Sequence, residues 1–179
     1  LEDNIAAADP ALREAAVYGF ELIATGPRST NENRSAVITS IGKQVAGSDI
    51  PGKLLYIKTL ARITDAAEKR NEGKGDQKSL ELAAGAILPL VEPAQPPEVR
   101  LGALEAVSKM CAPGVCKRLV QLAVTEQGEL RDKARQGIAA TALPDAAGEL
   151  LMKMSSDDKA LAEEAKRAFL RIRDSAPSA

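Results

Sequence analysis

An all-helical fold is the expectation for this chain, and three observations lead to it. Apolar residues make up 45% of the 179, mostly Ala, Leu, Val and Ile, while aromatics make up 2% and Trp is absent. Elements of that composition meet over small side chains. The apolar residues also recur at helical spacing. Finally, one helix pattern recurs: "PPEVRLGALEAVSKM", Pro96 to Met110, has counterparts in "DPALREAAVYGFELI", "GELRDKARQGIAATA" and "DKALAEEAKRAFLRI".

The repeat is clearest by superposition. Aligning Leu12, Leu55, Val99, Leu130 and Leu161, the position four residues on holds Ala16, Thr59, Ala103, Ala134 and Ala165. Eight on stand Phe20, Ile63, Val107, Ile138 and Phe169, and eleven on stand Ile23, Ala66, Met110, Thr141 and Ile172. Those offsets mark one helix face, small near its start and larger further along. The successive copies lie 43, 44, 31 and 31 residues apart, a variation that suits helix pairs with differing turns.

Between the five copies stand four further helices. "STNENRSAVITSIGKQV" opens with Ser29 three residues before Glu32, a capping-box arrangement, and places Val37, Ile38, Ile41 and Val45 on one flank. "KSLELAAGAILPLVEP" gathers Leu80, Ala83, Ala84, Ile87, Leu88 and Val91 and is expected to bend or stop at Pro89, which removes a helical hydrogen bond. "PGVCKRLVQLAV" offers Val115, Leu119, Leu122 and Ala123, with Pro113 expected near its first turn. "PDAAGELLMKM" offers Leu150, Leu151 and Met154. Nine helices in alternating order result. The connectors "GPRS", "GSDIP", "EPAQPP" and "SSDD" combine Gly, Pro, Ser and Asp and are short enough to make neighbouring helices antiparallel. "NEGKGDQ", residues 71–77, is longer and polar and is read as a surface loop, and the tail at 175–179 is expected to fray.

The recurring helix resembles the second helix of HEAT repeats: an Asp or Pro near its start, an apolar-Arg pair, then Ala and Leu at helical spacing. "DPALREAA" and "PPEVRLGAL" match this pattern well, "GELRDKA" matches fairly, and "DKALAEEA" keeps the frame without the Arg. The resemblance covers about Asp9 to Arg173. It implies a single repeat domain over 1–174, a right-handed α-α superhelix in which neighbouring pairs share a core and leave a curved surface for partners. The shorter units are similar to compact HEAT-like repeats of bacterial proteins, including relatives of phycobilin lyases. Arg13, Arg100 and Arg131 follow the first core residue of their copies, where they either pair with an acid of the neighbouring repeat or face a ligand. Their place beside the packed seam favours pairing.

The chain has no histidine, which excludes Ser-His-Asp and Cys-His nucleophiles and histidine-ligated metals. Ser40 with Lys43 and Ser156 with Lys159 form S-x-x-K, a short pattern with no K-T-G companion, and Ser156 reads better as a helix cap. "GKGDQKS" lacks the final Gly-Lys pairing and the preceding strand of a phosphate loop. Asn33-Arg34-Ser35 fits a glycosylation sequon but falls inside a helix. No enzyme, cofactor or metal is therefore expected.

Cys111 and Cys116 bracket "APGV", a turn short enough for a disulfide, and the same placement suits two half-buried thiols at a helix junction. A bridge implies a periplasmic or extracellular setting, and free thiols a cytoplasmic one. The start at Leu1 suits either a removed leader or a piece of a larger protein. Charges nearly cancel, 24 basic against 25 acidic, so no overall field draws nucleic acid or anionic membrane. The longest apolar run, Leu82 to Val91, is about half of what crosses a bilayer. A local basic excess lies at 51–78, with Lys58, Arg62, Lys69, Arg70 and Lys74 as the candidate patch. The expected function is a non-enzymatic scaffold binding a protein or peptide. The alternatives are phosphate-backbone binding through that patch, for which stacking aromatics are scarce, and a lyase-like accessory enzyme.

Overall fold

Apolar periodicity translates into helices throughout. In the computed structural model, which describes residues 2–70 and 76–175, these residues form ten α-helices and two 3-10 turns, with no strand. The helices are α1 (Glu2–Ile5), α2 (Pro10–Thr25), α3 (Asn31–Val45), α4 (Ile50–Arg70), α5 (Gln77–Ile87), α6 (Pro97–Val107), α7 (Val115–Thr125), α8 (Gly128–Ile138), α9 (Ala147–Lys153) and α10 (Lys159–Ser175). The nine expected helices are α2 to α10. The additional α1 is a single turn whose Ile5 is buried, and its carbonyl accepts the Tyr56 hydroxyl.

Helix ends follow local chemistry. Asp9 starts α2 by accepting Ala11 N–H at 2.8 Å and Leu12 N–H at 3.2 Å. The cap of α3 is Thr30, accepting Asn33 N–H at 3.2 Å, rather than the expected Ser29, whose Oγ is buried with no hydrogen-bond partner among the described residues. Pro89 does what its ring dictates: α5 ends at Ile87 and a 3-10 turn, Leu88–Val91, follows. Pro113 lies ahead of α7 rather than inside it, because Gly114 occupies the cap position at φ 79°, a left-handed conformation that glycine adopts without strain. Asp158, not Ser156, caps α10, and Ser156 Oγ instead accepts the Asp158 N–H at 3.3 Å. Ser175, expected in the fraying tail, ends α10, while 176–179 and the loop residues 71–75 lie outside the described residues.

The chain divides into two compact units, 1–106 and 107–179. In the first, α2 packs on α1, α3 and α4, and α3 packs on α4 and α5. Its core is formed by Val17, Phe20, Ile38, Ile41, Tyr56, Leu60, Ile63 and Ile87. In the second, α7 packs on α8 and α9, and α10 packs on α8 and α9, around Met110, Leu119, Ile138 and Leu150. Each such aliphatic side chain contributes about 1.5–3 kcal/mol by leaving water.

The superposed frame holds best at its centre. Ala16, Thr59, Ala103, Ala134 and Ala165 are all buried, as are Phe20, Ile63, Val107 and Ile138. The frame weakens at the edges: Leu12 and Ile23 of the first copy are exposed. Small residues permit close approach, and at one point even a methyl is too much. A Cβ on Gly137 would lie 2.5 Å from Ser108 Cβ and 2.8 Å from Leu119 Cδ1.

Candidate interaction surface

Several helices carry a basic residue that reaches the N-terminal end of the helix two places on, from near the helix start in α2, α3, α4 and α7 and from the last turn in α8. Arg13 of α2 grips Asp49, which immediately precedes α4, with Nη1 to Oδ1 at 3.0 Å and Nη2 to Oδ2 at 3.3 Å. Arg34 of α3 donates to Asp76, the cap of α5, at 2.9 Å and to Asn31 Oδ1 at 3.0 Å. Lys53 of α4 donates to Gln95, just ahead of α6, at 3.0 Å. In the second unit Lys117 of α7 lies 3.8 Å from Asp145, in the turn before α9, and Arg135 of α8 reaches Asp158, the cap of α10, at 3.3 Å. Arg135 also pairs with Asp132 on its own helix.

The carboxylates in these links serve two helices at once. Asp49 is held below its ordinary value, first by the Gly52 N–H and then, against the opposing effect of burial, by Arg13. Burial acts to raise Asp76, but the Ser79 hydroxyl, the Ser79 N–H and Arg34 outweigh it, so its carboxyl is also lowered. Asp158 is lowered mainly by the Leu161 N–H, with Arg135 contributing. Of the three arginines singled out by sequence, Arg13 pairs with an acid, Asp49, just ahead of α4. Arg100 Nε donates to Val91 O at 3.0 Å, and Arg131 Nε is buried with no hydrogen-bond partner among the described residues.

The candidate basic patch is only partly assembled. Lys58, Arg62 and Lys69 lie along the exposed face of α4, one or two turns apart, with Asp65 among them. Arg62 donates to Glu21 of α2 at 3.3 Å and Lys69 to Asp65 at 2.7 Å, so two of the three cations have an acid beside them. Glu68 on the same helix is raised by burial and by Asp65. The side chain of Arg70 and the whole of Lys74 lie outside the described residues. Cys111 and Cys116 are not joined in a disulfide: Cys111 is half-buried, and Cys116 is buried with its Sγ 3.6 Å from Ile138 O. Burial pushes the Cys116 thiol up to about 12.

Two further surfaces were not singled out by sequence. Leu12, Tyr18, Leu22 and Ile23 leave α2 with a broad exposed apolar face. At its C-terminal end a groove of about 370 Å³ is lined by Leu22, Ile23, Pro27, Arg28 and Asn33, among others. In the second unit Val124, Leu151 and Met152 are exposed. Among the described residues, no group of three or more Cys, Asp or Glu is placed to hold a metal, and no helix is long and apolar enough to cross a membrane.

No family model matches the chain, and no curated protein matches it. Among solved structures, a crystal structure of an engineered protein is similar with a TM-score of 0.40 and 16% identity, covering 97% of this chain and 95% of that one.

Proposed function

We propose that the chain is a HEAT-like helical repeat whose pairs stack as a right-handed superhelix, acting as a non-enzymatic scaffold for protein-protein interaction. The observation that carries the repeat is a shared set of parts. A small residue is buried four positions after the aligned residue of each recurring helix, and a basic residue of one helix is tied to the N-terminal end of the helix two places on. Links between alternate helices are what stacking of helix pairs requires, since each pair contacts only its neighbours. The binding role draws on the large apolar side chains that α2 leaves in solvent: Tyr18 is 59% and Leu22 52% exposed. Contiguous apolar surface of this kind marks interaction sites.

The test is a pull-down with the tagged chain, washed across a salt series and assayed for protein and nucleic acid. The scaffold reading expects a protein that stays bound as salt rises. Nucleic acid released steeply by salt would overturn it in favour of the α4 stripe of Lys58, Arg62 and Lys69.

A further inference from the structure

We propose that the groove at the C-terminal end of α2 docks a short acidic-aliphatic segment of a partner protein, one that carries a bulky apolar side chain within about one helical turn of a carboxylate. This rests on the scaffold reading and gives it a site and a partner chemistry. The floor supplies the apolar half: Leu22 and Ile23 are 52% and 45% exposed on adjacent positions of α2, and Pro27 continues the surface beyond the helix end. Tyr18, one turn before Leu22, extends the apolar strip along α2.

The rim selects charge. Arg28 lines the groove, is exposed, and forms no ion pair or hydrogen bond with the described residues, unlike Arg13, Arg34 and Arg62, which are committed to Asp49, Asp76 and Glu21. The start of the fifteen-residue α3 lies beside it, with Asn33 in the lining, and a helix start carries partial positive charge. No acid contributes to the lining: Glu21 is held by Arg62, and Glu32 is not among the groove residues. An aliphatic side chain therefore finds cover at Leu22 and Ile23, while a carboxylate finds an uncommitted guanidinium. A basic segment would meet repulsion at the same place. The floor is shallow and open, which suits an extended or helical segment laid across it.

The test is selection from a phage-displayed library of random 12-residue peptides on the full chain, on Ile23→Glu and on Arg28→Glu. Both positions are exposed, and circular dichroism melts establish that each variant is folded. The expected result is enrichment of peptides pairing Leu, Ile, Val, Phe or Met with Asp or Glu. A synthetic copy of the leading peptide should bind at least about tenfold more weakly to either variant, because a like charge at the rim or a charge on the floor is repulsive. Arg28→Glu should in addition select Lys- or Arg-bearing peptides. Enriched peptides that lack acids, or that bind both variants unchanged, overturn the assignment of this groove while leaving the scaffold reading in place. Failure to enrich any peptide on any form overturns the groove and counts against the scaffold reading as well.

Discussion

The link from α3 to α5 and the link from α8 to α10 are built from the same parts, an arginine and the aspartate that caps a helix two places on, yet they sit in opposite surroundings. Arg34 and Asp76 have side chains only 4% exposed, whereas Arg135 and Asp158 are 18% and 33% exposed. In the first case water cannot replace a lost partner, so the two charges depend on each other and on Asn31 and Ser79. In the second, solvent is at hand and either charge can be hydrated alone. One motif therefore acts as an obligatory latch in one unit and a surface adornment in the other. Burial decides which.

The sharpest way to break this comparison is to remove one partner on each side. Arg34→Met leaves Asp76 buried and uncompensated and should cost about 3–5 kcal/mol, read from urea denaturation. A loss below about 1 kcal/mol would show that the α3–α5 link is as replaceable as the exposed one. Next in size is Gly137→Ala, expected to destabilise by about 1–3 kcal/mol because the added methyl meets Ser108 and Leu119. Its control is Gly85→Ala, on the exposed side of α5 with nothing within 4 Å, which should gain about 0.5–1 kcal/mol through helix propensity. Smaller again is Arg135→Ala, at about 0.2–1 kcal/mol and declining with added salt, measured by the same urea denaturation at low and high ionic strength.

Acid titration sharpens the comparison from the other partner. Asp76 is held below its usual 3.8, so its ionised form binds better in the folded than in the unfolded chain. Its contribution is fully present above about pH 4–5 and is lost as pH falls through the lowered value. Wild-type stability should thus drop on acidification, and in Arg34→Met the drop should be shallower because the arginine no longer favours the carboxylate. Equal slopes in the two proteins would assign the acid sensitivity to other carboxylates.

How much of this was legible beforehand depends on the range of the interaction. The nine longer helices follow from a 3.6-residue apolar period that needs only neighbours along the chain. The buried small position at Ala16, Thr59, Ala103, Ala134 and Ala165 was visible because it recurs. The single turn α1 is too short to show a period, and its Ile5 is covered through tertiary contact. Capping was ambiguous because Ser29 and Thr30 can each serve, and the backbone path selects Thr30. Asp49, Asp76 and Asp158 look like ordinary turn residues in sequence, while the arginines that hold them stand 36, 42 and 23 residues away. The groove of α2 is hidden in the sequence because Ile23 falls within the recurring core frame, and in this first copy the frame reaches solvent at that point.

The unlike surroundings of the two thiols have a practical consequence. Maleimides and related reagents attack thiolates, and Cys116 is both buried and raised to about 12, whereas Cys111 is half-buried at the end of the preceding segment. Of the two thiols Cys111 is therefore the one expected to react first with such a reagent, so that one fluorophore or spin label is placed without introducing or deleting a cysteine. Cys116 remains as an internal reporter that becomes modifiable when the packing around Ile138 opens.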